Sequence, residues 1–295
     1  MTRHNVFYNA DFVSSDYAFD TTRKSGVLAA ALKADSSADV VDPGQFTEQT
    51  RELIDRLHSP DYVQAVRTGA PSDLAESQGF DWDPKLPSMA IAHSAGLVAA
   101  VSEVLTSTAR VAGSLSSGLH HARQDRGAGY CTFNGLAVAT AEALDRGAER
   151  ILVLDFDAHC GGGTRSMTSP AAVVQIDVST VMFDSWQPST SWDCLTHSGP
   201  DSYLDDIAAA LQLAGRAGSF DLVLYNAGMD PANTGVSNVD LALRERMVAE
   251  WAAEREQRLV YALAGGYTGG GITMEDLVAL HRLTVDAFCD GTSSE

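Results

Sequence analysis

Residues 151–164, ILVLDFDAHCGGGT, limit the possible folds more than any other stretch of this chain. The run opens with four apolar residues, too few for a helix and too apolar for a loop. That predicts a strand buried on both faces, as in a parallel sheet. The strand ends at Asp155, and open α/β sheets bind their ligands just outside the carboxyl ends of the strands. Residues two apart share a face of an extended chain. Asp155, Asp157 and His159 can therefore converge, and Asp-x-His suits a divalent metal with mixed oxygen and nitrogen ligands. The glycines that follow permit a sharp turn. Cys160 shows no independent sign of a thiolate, so it reads as a packing or pocket-wall residue rather than a catalytic one.

The flanking sequence alternates between strand and helix patterns. A strand is expected at residues 6–8 and helices at 22–32, 47–57, 61–68 and 89–106, with Ser59-Pro60 as a break. Residues 69–88 lack periodicity and read as one long loop. YCTF at 130–133 reads as a strand, and 135–144 as a helix crossing over to the strand at 151–155, a βαβ unit. Further strands are expected at 173–178, 221–225 and 259–263, and helices at 201–213 and 272–288. Ser237-Asn238-Val239-Asp240 reads as a capping box for the helix between the last two strands. Residues 179–200 read as irregular. This alternation predicts an α/β chain with a parallel sheet and helices on both faces. No repeat or long linker divides it, so 1–295 is expected to be a single domain.

Three more stretches carry chemistry. His120 and His121 stand in tandem in a Gly- and Ser-rich loop. Asp230 follows the strand at 221–225, as an acid at a strand's carboxyl end. Gly265-Gly266 expose Tyr267 after the last strand. The net charge of −19 argues against nucleic acid, because phosphate contacts need Lys and Arg. The four cysteines have neither metal nor disulfide-framework spacing, which fits a reduced compartment. No apolar run approaches 18 residues and the first residues show no signal-peptide core. A soluble, intracellular, cytoplasmic protein with no membrane partner is expected.

Five segments in order then resemble one family: GLHHA at 118–122, GYCTFNGLAVA at 129–139, ILVLDFDAHCGGGT at 151–164, DLVLYNAGMDP at 221–231 and AGGY at 264–267. HSPDYV at 58–63 resembles an upstream element. The chain resembles the histone deacetylase superfamily, whose arginase–deacetylase fold is a three-layer single parallel sheet with helices on both faces. The resemblance implies a metal-dependent amidohydrolase. Asp157, His159 and Asp230 would hold Zn2+, or Fe2+ in its place. His120 and His121 would be the acid/base pair, with Asp155 bonded to His120. Tyr267 would donate to the oxyanion, and Gly129 and Tyr130 would line the substrate channel. Asp155 and Asp177 would be candidate contacts for a structural K+.

The chain departs from the family pattern at four places. Cys160 replaces a second His. Gly162 replaces an Asp or Asn that partners the second tandem His, which leaves His121 without its usual partner. FDTTRKSGVL at 19–28 replaces a His-Pro-Glu-type segment, and Asp177-Val178-Ser179 replaces a Ser-x-His segment. The expected substrate is acetyl-lysine in a protein, with a small acetylated amine such as an acetylpolyamine as the alternative. A metal-binding regulator without catalysis ranks lower. So does an arginase-like ureohydrolase, which would need an acid where Gly161 stands.

Overall fold

The computed structural model describes residues 3–16, 19–116 and 119–290; Gly118 of the GLHHA segment lies outside them. Among the described residues the strands are β1 Asn5–Phe7, β2 Asp39–Val41, β3 Val111–Ser114, β4 Ile151–Asp155, β5 Val173–Ser179, β6 Cys194–His197, β7 Leu222–Asn226 and β8 Leu259–Ala262. They form one sheet in the order β2-β1-β3-β8-β7-β4-β5-β6, and every pair is parallel. The helices are α1 Asp20–Asp35, α2 Thr47–Leu57, α3 Pro60–Thr68, α4 Ser72–Ala75, α5 Leu86–Thr106, α6 Gly135–Asp145, α7 Gly162–Met167, α8 Tyr203–Ala217, α9 Asn238–Glu254 and α10 Met274–Asp290.

The strand alternation explains the three layers. Leu152 and Leu154 of β4 join a core shared with Leu28 of α1, Ile207 of α8, Val248 of α9 and Val285 of α10. Ile151 and Val153 point the other way, into a core with Leu97 and Val101 of α5 and Leu136 and Ala139 of α6. Because both faces are covered, β4 is apolar throughout rather than alternating. α2 and α3 add a further layer, packing Leu53, Ile54 and Val63 against Val98 of α5 and Val138 of α6. α5 is long and apolar enough to cross a membrane by length and composition. Most of it is buried between α6 and the sheet, so its apolarity goes into the core.

Four sequence expectations need correction. YCTF is not a strand: Ala128 and Cys131 close a tight antiparallel bridge around Gly129 (φ 49°) and Tyr130 (φ 63°). The strand before α6 is therefore β3, and β3 and β4 do not form a simple βαβ pair. β8 and β7, from the last third of the chain, insert between them. Residues 69–88 are not all loop, since they hold α4 and the start of α5. Within 179–200, Cys194–His197 form the edge strand β6.

Two histidines far from strand ends 4, 7 and 8 carry a pH dependence. Burial holds His4 and His58 at about 4, below the usual value for histidine. His58 uses both ring nitrogens in the neutral form: Nδ1 lies 2.9 Å from Arg123 O and Nε2 accepts from Asn134 N. The unfolded chain binds protons near pH 6.5, so it gains them before the fold does as pH falls. Stability is thus lost between about pH 6.5 and 4, by on the order of 2 kcal/mol per histidine at pH 5. Urea unfolding in the presence of a chelator should show this drop from pH 7.5 to 5. His120 and His159, held charged in the fold, gain stability over the upper part of the same range, so the share of the two rings is read from His4→Gln and His58→Gln. Each should show a smaller drop than wild type, and an equal drop would contradict the neutral, buried state of both rings.

Candidate active site

All strands run the same way, so their carboxyl ends share one edge of the sheet. The four central neighbours β3, β8, β7 and β4 each send a loop to that edge. β3 leads to His120 and His121, β4 to Asp157 and His159, β7 to Asp230 and β8 to Gly265-Gly266-Tyr267. The sequence separates these residues by more than a hundred positions, and the sheet order brings them together. All of them but Gly266 line one cavity of about 510 Å³.

Asp157, His159 and Asp230 place one ligand atom each within 4.8 Å of one another. His159 Nδ1 lies 3.1 Å from Asp157 Oδ1 and 3.1 Å from Asp230 Oδ2. The backbone makes room for this convergence. At Gly265 (φ 64°) a Cβ would sit 2.3 Å from Asp230 Oδ1 and 2.6 Å from Asp157 Oδ2. Gly266 N donates to Asp230 Oδ1. Two buried carboxylates this close demand positive charge. Burial, and then the charge of Asp157, push the Asp230 carboxyl above its usual range. Burial also works against the charge of Asp157, but His120 and His159 pull its carboxyl below that range. Burial opposes the charge of His159 too, yet bonds to the two carboxylates raise it to about 10. Two carboxylate oxygens and one imidazole, with further positions free, fit a divalent metal. Among the described residues this is the one group of its kind.

His120 Nδ1 lies 2.7 Å from Asp155 Oδ2. Asp155 is fully buried and also accepts from Asn226 Nδ2 at 2.8 Å. Burial would lower His120, but Asp155 and Asp157 outweigh it and raise the imidazole to about 9. His121 goes the other way: burial and the neighbouring His120 lower it to about 4. The tandem thus holds one charged and one neutral ring near neutral pH. Asn134 fixes the loop, its Nδ2 donating to His120 O and Ala122 O while its Oδ1 caps α6.

His121 lacks its usual partner at 162, but it is not left unpaired. His121 Nδ1 lies 3.0 Å from Asp184 Oδ2. Asp184 belongs to the segment between β5 and β6, which the sequence left as irregular. Burial opposes its charge, but His121 and Arg123 keep its carboxyl below the usual range. No local pattern marks it, because its side-chain partners His121 and Arg123 lie more than sixty residues away.

Tyr267 lines the cavity with its ring stacked on Phe19, centroids 5.8 Å apart. Burial, then the charges of Asp230 and Asp157, raise its phenol and keep it protonated. Gly129 and Tyr130 line the same cavity beside Phe19, and Tyr130 packs against Phe19 with centroids 5.1 Å apart, with Phe80 behind them at 5.1 Å from each ring. Phe183 stands opposite, against His121 and His159. Cys160 is buried, with Sγ near Val181 O, away from the cavity lining.

Asp155 and Asp177 lie side by side in register on β4 and β5. Asp177 accepts from Gly161 N at 2.8 Å, Trp186 Nε1 at 2.7 Å and Gln175 Nε2 at 3.0 Å. Burial, and then the charge of Asp155, push Asp177 to about 8. Every carboxylate oxygen of this pair accepts at least one hydrogen bond.

Beneath the site two charged groups escaped the sequence reading. Lys24 of α1 is fully buried and donates to Leu263 O; burial lowers it to about 7 despite Asp230 and Asp157. Arg244 of α9 is also fully buried. It donates to Phe156 O at 3.0 Å, Gly228 O at 2.8 Å and Glu245, tying together the loops that carry Asp157 and Asp230. Each lies on a mixed helix beside another cation, Arg23 or Arg246, where a positive charge looks like a solvated residue.

Comparisons with known proteins agree with this geometry. The family model described as the histone deacetylase domain matches residues 18–187. An uncharacterized protein of Picosynechococcus sp. is 29% identical over 296 residues, covering 94% of this chain and 96% of its own. Acetylpolyamine amidohydrolase 2 of Pseudomonas aeruginosa is 29% identical over 182 residues, half of this chain and 52% of its own length. The crystal structure of an acetylpolyamine aminohydrolase from Burkholderia pseudomallei superposes with a TM-score of 0.76 at 18% identity, over 97% of this chain and 98% of that one. That last likeness establishes the shared fold.

Proposed function

This chain belongs to the histone deacetylase family, and from that premise we propose that it is a zinc-dependent hydrolase of N-acetylated amines, acting on acetyl-lysine. The observation that carries the reading is a single cavity holding a metal-type triad, a charged and a neutral histidine, and a protonated tyrosine. Asp157, His159 and Asp230 are the residues that would hold the metal. When bound, it supplies a Lewis acid that polarises the amide carbonyl and acidifies the attacking water.

The chain's own groups do the rest. His121, neutral near pH 7, accepts the proton of the attacking water and returns it to the nitrogen of the leaving amine. The C–N bond breaks, and acetate and the free amine leave. His120, held charged by Asp155, stabilises the negative charge that builds on the acyl group. Tyr267 donates a hydrogen bond from its phenol to the oxyanion, and such preorganised donors supply much of an enzyme's rate. Phe19, Tyr130 and Phe183 form apolar walls that fit an aliphatic chain and keep out water.

A second substrate reading, a small acetylated amine, draws support from the similarity to acetylpolyamine amidohydrolase 2. One assay separates the two: hydrolysis of a fluorogenic acetyl-lysine peptide beside N-acetylputrescine, with and without zinc and a hydroxamate inhibitor. Peptide turnover that the hydroxamate abolishes is the expected result. Turnover of N-acetylputrescine alone would move the substrate to small amines. No turnover of either, with one metal bound per chain, would overturn the catalytic reading.

A further inference from the structure

Asp184 is held on all sides. Its side chain is 7% exposed. Oδ2 lies 3.0 Å from His121 Nδ1 and accepts from Gly163 N at 2.9 Å. Oδ1 accepts from Arg123, whose guanidinium also reaches Gly162 O at 3.4 Å. The main chain around it is pinned to the loop that carries His159. Val181 N donates to Ala158 O at 2.7 Å and Cys160 N donates to Phe183 O at 3.0 Å. Trp186 anchors the far side through Asp177.

Gly162 and Asp184 are linked by space. A Cβ at residue 162 would sit 2.2 Å from Asp184 O and 2.7 Å from Asp184 Oδ1. A side chain at 162 and the present course of residues 183–185 therefore exclude each other. The resemblance puts an Asp or Asn at 162 as partner of the second tandem histidine. Here the space is filled instead by a carboxylate from a different loop.

We propose that Asp184 is the positioning residue of His121, supplying from the segment between β5 and β6 the partner that Gly162 lacks. It keeps the ring proton on Nδ1, leaves the Nε2 lone pair for the reacting water, and stabilises the imidazolium formed when that proton is taken. Arg123 holds the carboxylate in the rotamer that reaches Nδ1. The inference rests on the reading of His121 as the base.

Asp184 has φ 59°, a left-handed conformation that Gly and Asn adopt readily. Asp184→Gly thus removes the carboxylate without straining the backbone, and Asp184→Asn retains an acceptor. In Asp184→Gly, kcat on the acetylated substrate is expected to fall about 10- to 100-fold, with KM and bound metal unchanged. Asp184→Asn should lie between it and wild type, and added formate should restore part of the kcat of the Gly variant. In metal-free protein, an NMR spectrum at fixed pH should show a hydrogen-bonded His121 Nδ1–H that disappears in Asp184→Gly. A kcat within about twofold of wild type would overturn the inference. So would a loss shared equally by kcat, metal content and melting temperature, which is what a purely structural loop contact would give. If wild type hydrolyses nothing, the proposed function fails, and the NMR result alone decides the pairing. Absence of the wild-type resonance would then sink the inference as well.

Discussion

His159→Ala is expected to leave a folded chain that binds no stoichiometric divalent metal and hydrolyses acetylated amines at least about a thousandfold more slowly. The size follows from the role: a Lewis acid at a reacting carbonyl is worth several kcal/mol of transition-state stabilisation, and each 1.36 kcal/mol is about tenfold in rate. The fold should survive because the ring is partly exposed in the cavity and makes no core contact; its side chain is 27% exposed. What remains are two buried carboxylates on neighbouring loops. Arg244 still ties those loops together, and one carboxyl can take up a proton in place of the lost imidazole. Metal analysis of the purified variant and melting curves with and without added zinc would check this. Wild-type turnover in a variant free of metal would remove the metal from the mechanism altogether.

The positions of the candidate metal triad were legible because they rest on strand grammar, while it was the family resemblance that grouped Asp230 with Asp157 and His159 as ligands. β4 is buried on both faces, so its apolar run announces where it ends and places Asp157 and His159 just beyond. β7 and β8 announce Asp230 and Tyr267 in the same way. Short edge strands gave no such signal. β2 and β6 lie at the borders of the sheet, and β3 reads Val-Ala-Gly-Ser, too short and too small to stand out. Strand order was equally hidden, because β8 reaches its place between β3 and β7 only through long-range packing. Asp184 was hidden for a related reason. The sequence showed that residue 162 has no side chain, but the carboxylate that fills the space comes from a segment without periodicity. A vacancy can be read in one dimension. The residue that fills it belongs to the tertiary structure.

The tandem histidines and Tyr267 should separate proton transfer from metal binding. His121→Ala is expected to lower kcat by about 10²- to 10⁴-fold, the usual worth of a general acid–base group, with one metal still bound per chain. Burial and His120 keep His121 neutral, so at pH 7 it is ready to accept a proton without first losing one. His120, charged at the same pH, cannot take over that task. Tyr267→Phe should cost about 10²- to 10³-fold in kcat, as does the loss of one oxyanion donor elsewhere. Its effect on KM should be small, since the ring that packs on Phe19 is retained and only the hydroxyl is lost. The two variants differ in what they remove, and a substrate with a better leaving group tells them apart. Proton delivery to the leaving nitrogen matters less when that group departs easily, so an activated acetanilide should recover much of the His121→Ala loss. It should recover little of the Tyr267→Phe loss, because the oxyanion still has to form. Equal recovery in both variants would mean that His121 and Tyr267 do not divide proton transfer and oxyanion stabilisation between them.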